Sequence, residues 1–248
     1  MRLLISSWNM QGGLRDKVAN MRMPSSPRIL NTNILLVQEE GNPDDRGVWV
    51  NDEIFIFGKR FTCIVSEVDP EARVQYRCTT SVLVDDYVRS LRFQVQKISH
   101  VGYRPIVGLK IGSVSILTVH DIANGTSFDI KDLINRGLRY IEPWMIMGDI
   151  NCTPQAMNHD NHYIPDTPVF VNCNTVNRPK GFYEIYPANP TQGRNGSRTT
   201  TLDYILASES MLPFIRAGAN YHIENEMILS NNGYLSDHNM INCVLDNV

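Results

Sequence analysis

Short apolar runs rich in Ile and Val recur along the chain, and their length limits what it can build. They are Leu3 to Trp8, Ile34 to Val37, Ile54 to Phe57, Ser81 to Val84, Val107 to Lys110 and Val114 to Val119. Further on come Trp144 to Met147, Val169 to Val171, Leu202 to Ala207 and Met240 to Leu245. Runs of this length with β-branched side chains predict strands rather than helices. One stretch has a helical period. From about Ser127 to Ile141, the residues Ile130, Leu133, Ile134, Leu138 and Ile141 share a face, with Ser127 placed to cap it and Pro143 beyond its end. A weaker helix between Leu14 and Leu30 is interrupted by Pro24 and Pro27. Many strands with few helices predict an α/β or α+β sandwich, two sheets packed face to face. No repeat, low-complexity tract or linker divides the chain, so one domain over residues 1–248 is the expectation.

Composition narrows the function classes. With 248 residues, 42% hydrophobic and 20% charged, the chain can bury a core and is not a disordered segment. No run of about 18 apolar residues exists to span a membrane as a helix. The start, Met1-Arg2-Leu3-Leu4-Ile5, reaches Ser6 and Ser7 too soon for a secretory signal and reads as a first strand. A net charge of -3 argues against a basic nucleic-acid coat protein. It does not exclude an enzyme that meets phosphate through a metal and a few arginines. The cysteines Cys63, Cys78, Cys152, Cys173 and Cys243 show neither a C-x-x-C pair nor zinc spacing. They read as scattered small hydrophobes rather than a disulfide framework.

The polar residues at the ends of the apolar runs carry the chemistry. The first run ends in Trp8-Asn9-Met10-Gln11-Gly12-Gly13, and the second in Gln38-Glu39-Glu40-Gly41. The run from Val114 ends in His120-Asp121, and that from Trp144 in Gly148-Asp149-Ile150-Asn151. Asp203 opens the run to Ala207, and Ser236-Asp237-His238 precedes the last one. Any one of these is an ordinary polar turn. If the strand ends share one rim of a sandwich, the whole set converges on a cleft.

The residue types suit metal-assisted hydrolysis of a phosphate ester. Hard oxygen ligands such as Glu39, Asn9 and Asp237 fit Mg²⁺ or Mn²⁺. His238 and His120 are a natural pair for taking a proton from water and returning one to the leaving oxygen. Asp203 is placed to fix the His238 tautomer. Asn151 offers an amide to a phosphate oxygen, and Asp149 a carboxylate to a metal or to the attacking water.

The same residues resemble a known family. Trp8-Asn9-Met10-Gln11-Gly12, Val37-Gln38-Glu39, Arg104-Pro105-Ile106-Val107-Gly108, Gly148-Asp149-Ile150-Asn151, Leu202-Asp203-Tyr204 and Ser236-Asp237-His238 are similar, in order, to motifs of the endonuclease/exonuclease/phosphatase superfamily. That resemblance implies the DNase I-like four-layered sandwich, two mixed β-sheets flanked by helices. A closer resemblance is to the catalytic B subunits of cytolethal distending toxins, through His120-Asp121-Ile122-Ala123-Asn124-Gly125 and the Arg73 to Arg77 stretch. It implies Glu39 as principal metal ligand with Asn9 and Asp237, and His120 and His238 as acid and base with Asp203 orienting His238. Asp149 and Asn151 would position metal, water or phosphate, and Arg104 and Arg77 would contact DNA phosphates. The implied activity is Mg²⁺-dependent cleavage of double-stranded DNA, with Mn²⁺ as a substitute. The implied biology is a secreted genotoxin subunit, carried by cell-binding partners and acting in the host nucleus.

The chain departs from the family pattern in places. Glu40 stands where a small residue is usual, and its expected position is solvent. Asp121 replaces a small apolar residue beside His120; strand alternation points it away, whereas a turn at that position would let it favour the protonated imidazole. The glutamate that partners the first histidine in DNase I has no confident equivalent. Residues 158–179 have no clear counterpart. Two alternatives stay open: a phosphoinositide phosphatase or sphingomyelinase of the same superfamily, which fold alone does not separate, and a catalytically weakened partner-binding domain, motivated only by Glu40 and Asp121. Residues 190–201, with Arg194 and Arg198, read as a flexible loop.

Overall fold

The computed structural model describes residues 1–41, 48–68, 79–98, 104–121, 138, 141–154, 169–171, 174–177, 182–187, 189–193, 199–215 and 223–248. Strand β1 (Leu3–Asn9) is followed by helices α1 (Leu14–Asn20) and α2 (Pro27–Leu30) and by β2 (Ile34–Gln38). Strands β3 (Glu53–Ile56), β4 (Lys59–Val68) and β5 (Thr79–Asp85) lead to a short α3 (Asp86–Arg89). Then come β6 (Phe93–Ile98), β7 (Ile106–Ile111), β8 (Val114–Thr118), β9 (Trp144–Asp149), β10 (Val169–Val171), β11 (Asn174–Asn177), β12 (Tyr183–Tyr186) and β13 (Asp203–Ala207). The chain closes with a 3₁₀ turn (Glu209–Met211), α4 (Leu212–Ile215), β14 (Glu224–Glu226), the hairpin β15 (Leu229–Ser230) and β16 (Gly233–Tyr234), and β17 (Met240–Leu245).

Each predicted apolar run is a strand, with small differences at the ends. Sequence patterning missed several strands, among them the interior Tyr183–Tyr186 and others that are peripheral or irregular. Phe93–Ile98 is a partly solvated edge strand with no continuous apolar run. Lys59–Val68 carries a register shift between Cys63 and Val65, and Glu224–Glu226 is a polar edge. The stretch from Leu14 to Leu30 is two helices, not one. Ser26 caps the second, its hydroxyl accepting from the Arg28 and Ile29 amides, and Pro27 starts it. The amphipathic helix predicted near 127–141 falls mostly outside the described residues.

The strands form two large mixed sheets. One is ordered β14-β17-β1-β2-β5-β4-β3, the other β10-β11-β12-β13-β9-β8-β7-β6. Between them lies the main core: Ile5, Leu36, Val82 and Ile241 from the first sheet pack with Leu109, Ile116, Met147 and Ile205 from the second. The outer face of the seven-stranded sheet packs Trp8, Val37, Cys63 and Phe61 with Leu14 of α1 and Ile29 of α2. The outer face of the eight-stranded sheet gathers Leu117, Trp144, Ile146, Tyr204, Phe182 and Leu138. This is the predicted layered sandwich. Cys63, Cys152 and Cys243 are buried among apolar side chains, as predicted for small hydrophobes, and Cys78 and Cys173 lie outside the described residues. No helix among the described residues is long and apolar enough to cross a membrane.

Candidate active site

Pairing brings the polar strand ends to one rim. β1 and β2 run parallel with Asn9 opposite Gln38, so Asn9 and Glu39 leave neighbouring strands together. β8 and β9 are also parallel, and just past β8 His120 bridges to Asp149. The Asp121 amide donates to the Asp149 carbonyl at 2.9 Å. β13 runs antiparallel to β9 with Asp203 directly opposite Asp149. Gly148 permits this closeness: a Cβ there would lie 2.3 Å from the Val119 carbonyl oxygen. Gln11, Glu39 and Asn151 all have positive φ, near +53°, +54° and +52°. For Gln and Glu this is costly backbone, held in place by its surroundings.

Both imidazoles reach the same carboxylate oxygen. His238 Nε2 and His120 Nε2 each lie 3.7 Å from Asp149 Oδ2. His120 Nε2 is also 3.4 Å from Glu39 Oε1, and His238 Nδ1 is 2.8 Å from Asp203 Oδ2. Asn9 spans the two carboxylates, its Nδ2 donating to Asp149 Oδ2 at 2.8 Å and Glu39 Oε1 at 3.2 Å. Its Oδ1 accepts from the Gln11 amide at 3.1 Å. Asp149 Oδ1 accepts the Asn151 amide at 2.9 Å, and Asn151 Nδ2 donates to the Asp121 carbonyl at 2.7 Å.

Charge and burial work against each other here. Burial, offset by His238 and reinforced by Asp203, pushes the Asp149 carboxyl up to about 7. At His238 burial opposes the charge, but Asp203 outweighs it with help from Asp149 and Asp237, and the imidazole rises to about 10.

The donor set fits a hard divalent cation. Asp149, Asp203 and His238 offer ligand atoms within 4.8 Å of one another, all buried. Because Asp203 Oδ2 and His238 Nδ1 already engage each other, Glu39, Asp149 and Asp237 are the better-placed oxygen donors. Asp203 Oδ1 and Asp237 Oδ1 are buried without a hydrogen-bond partner among the described residues. Orphaned acceptors of this kind are what a cation with oxygen preference satisfies.

Most of the predicted site residues are therefore brought together: Asn9, Glu39, His120, Asp149, Asn151, Asp203, Asp237 and His238. Arg104 lies beside them, its Nη1 donating to the His120 and Asp121 carbonyls at 3.2 and 3.0 Å, which fixes the turn that carries His120. Arg77 lies outside the described residues. Glu40 overturns an expectation. It is not in solvent but 1% exposed, on the outer side of the seven-stranded sheet, with Oε1 accepting from Ser66 Oγ at 3.0 Å. The positive φ at Glu39 breaks the alternation of β2 just past Gln38, so Glu39 turns into the cleft and Glu40 away from it, and the Leu14 amide at the start of α1 donates to the Glu40 carbonyl at 3.2 Å. Asp121 faces away from His120 as predicted, close enough to Tyr204 to help raise that phenol, after burial, Glu184 and Cys152.

Sequence reasoning missed the residues that hold the site. Thr191 Oγ1 accepts the Leu202 and Asp203 amides at 3.1 and 3.0 Å. Gln192 Nε2 donates to Asp237 Oδ2 at 3.3 Å, and the Gly193 amide to the Asp237 carbonyl at 3.0 Å. Ser236 Oγ donates to the Asn9 carbonyl at 2.7 Å, and Trp8 Nε1 to the His238 carbonyl at 3.3 Å. Only Ser236 and Trp8, inside the strand-end motifs, left a signal.

No family model and no curated protein matches this sequence. Solved structures match it along its whole length. CdtB, the biologically active subunit of cytolethal distending toxin, is 20% identical with a TM-score of 0.57, covering 99% of this chain and 98% of its own. The endonuclease domain of TRAS1, a telomere-specific non-LTR retrotransposon, is 14% identical with a TM-score of 0.57 over 99% and 98%. A 3′-5′ exonuclease from Neisseria meningitidis is 12% identical with a TM-score of 0.52 over 98% and 100%. The fold is DNase I-like. This is the two-sheet sandwich that the sequence predicted. At these identities the likeness concerns the fold, and the chemistry rests on the rim.

Proposed function

We propose that this protein is a Mg²⁺-dependent phosphodiesterase that cleaves double-stranded DNA, the catalytic subunit of a cytolethal distending toxin-like genotoxin. One observation carries the enzymology: two imidazole Nε2 atoms converge on Asp149 Oδ2 at 3.7 Å, with Glu39 against one ring and Asp203 behind the other. Glu39, Asp149 and Asp237 would hold the cation, which when bound offsets charge building on the phosphoryl oxygens. In the neutral His238 ring Asp203 keeps the proton on Nδ1, so Nε2 is the atom that exchanges protons. His120 Nε2, on the other side of Asp149, is the second exchange point. One ring takes the proton of the attacking water while the other returns one to the leaving oxygen. Asn151, tied to Asp149 through its backbone amide and to the Asp121 carbonyl through Nδ2, would offer its remaining amide hydrogen to a phosphate oxygen, and Arg104 and Arg77 would add positive charge for DNA backbone.

Support for the toxin reading is the full-length likeness to CdtB together with the His120 to Gly125 segment. In this reading cell-binding subunits deliver a secreted protein, and its target is nuclear DNA. The test is nicking of supercoiled plasmid with Mg²⁺, with EDTA as control. Wild type converts plasmid to open circles and His238→Ala does not. Intact plasmid with wild type, or equal nicking by both, sinks the proposal, and phosphate release from inositol lipids in its place redirects it to a phosphatase. For the toxin role, wild-type protein introduced into cultured cells raises DNA breaks in nuclei and His238→Ala does not.

A further inference from the structure

Strand alternation stacks the side chains of the inter-sheet gap in layers, with successive inward residues two apart. On β1 the inward series is Ile5, Ser7, Asn9, and on β2 Leu36 then Gln38. On β8 and just beyond it is Ile116, Thr118, His120, and on β9 Met145, Met147, Asp149. The deep layer is apolar core and the outer layer is the site. The layer between is polar, although Ser7, Gln38 and Thr118 are only 1%, 0% and 0% exposed.

These groups form one cross-brace. Gln38 Nε2 donates to Thr118 Oγ1 of the opposite sheet at 2.7 Å and to Ser7 Oγ of the neighbouring strand at 3.1 Å. Ser7 Oγ lies 3.4 Å from the Met147 carbonyl oxygen, again across the gap. The brace therefore ties β1, β2, β8 and β9, and each tie sits one or two residues before Asn9, Glu39, His120 or Asp149. Apolar residues of the same shape would fill this space at little cost to stability, whereas an apolar interface can slide where hydrogen bonds do not. The site needs the two sheets in one register, since Asn9 of one sheet holds Asp149 of the other at 2.8 Å.

We propose that Gln38 is a positioning residue: through Thr118 and Ser7 it locks the Asn9–Glu39 half of the site against the His120–Asp149 half. The idea rests on the proposed metal-dependent activity only for its functional consequence. Loss of a group that orients metal ligands typically weakens metal binding by about 10–100-fold. The experiment compares wild type, Gln38→Met, and the triple variant Ser7→Ala/Gln38→Met/Thr118→Val. The triple variant removes all three side-chain partners together and leaves only the Met147 carbonyl without its long 3.4 Å hydroxyl contact, so its melting temperature returns toward wild type. Its affinity for Mn²⁺, read by calorimetry, falls by about tenfold or more, and plasmid nicking loses kcat with KM little changed.

A triple variant with wild-type Mn²⁺ affinity and wild-type kcat overturns the proposal. If the triple variant does not fold, Thr118→Val alone cuts the strut to Gln38 and is read the same way. If wild type neither binds Mn²⁺ nor nicks DNA, the functional proposal fails by itself. The positioning role is then decided by crystal structures: parting of Asn9 Nδ2 from Asp149 Oδ2 supports it, and an unchanged contact overturns it.

Discussion

Asp149 and Glu40 are both buried carboxylates near strand ends, yet they meet different company on different faces of the sandwich. Asp149 is 1% exposed in the cleft and receives Asn9 Nδ2, the Asn151 amide and two imidazoles within 3.7 Å. Glu40 is equally buried on the far side of its sheet, where its side chain meets the Ser66 hydroxyl, itself linked to Ser81 at 2.9 Å. Burial raises both, Asp149 to about 7 and Glu40 to about 8. At Asp149 that rise is opposed by the His238 charge, and a cation would oppose it further. At Glu40 only hydroxyls and a distant Arg15 oppose it, so the group is held neutral at pH 7. Acidity at a strand end therefore does not identify a site. Facing cations and imidazoles does.

The largest effect separating the two regions is catalytic. His238→Ala lowers the plasmid-nicking rate by about 10²–10⁴-fold, measured under saturating Mg²⁺. Glu40→Gln leaves that rate within about twofold; a loss comparable to His238→Ala would erase the distinction between the regions. Next comes metal binding: Glu39→Gln weakens Mn²⁺ binding by about tenfold or more, and Glu40→Gln leaves it unchanged by calorimetry, although the two residues are adjacent.

Stability reverses the ranking. Glu40 ionises near 4.5 when unfolded and near 8 when folded, so between these values the unfolded chain has released a proton that the folded protein keeps. Stability attributable to Glu40 falls as pH rises through this window, by about 1.4 kcal/mol per pH unit at most. Glu40→Gln, which keeps an acceptor for Ser66, thus gains thermal stability relative to wild type as pH rises from 5 to 8, in melts tracked by circular dichroism. A constant difference across that range contradicts the neutral-acid assignment.

Asp203→Asn acts on a single ring. It removes the charge and hydrogen bond that outweigh burial at His238, so the imidazole titrates below about 10, read by NMR. The smallest change is Ser66→Ala, which removes one hydrogen bond to Glu40 and costs about 1 kcal/mol with nicking unaltered.

The amino-acid order alone carried most of the central strands, because Ile- and Val-rich runs need no tertiary information to be read. It also carried Asn9, Glu39, His120, Asp149, Asn151, Asp203, Asp237 and His238, since each sits at the end of such a run in a polar motif. The edge strand Phe93–Ile98 and the split of α1 from α2 were less legible: solvated edges lose the apolar signature, and a capping serine is a local event. Tertiary structure decided what local pattern does not encode. Whether Glu40 meets water or protein depends on α1 and β4 folding over one face. The tilt of the Asn9 amide toward two carboxylates depends on Asp149 arriving from the other sheet. Gln192 and Gln38 act through partners tens of residues away, Asp237 and Thr118, at contacts that exist only once the chain is folded. Within a strand, sequence alternation determines which way a side chain points; past its end, as at Glu39 with its positive φ, the folded backbone decides that too, and packing determines what the side chain meets.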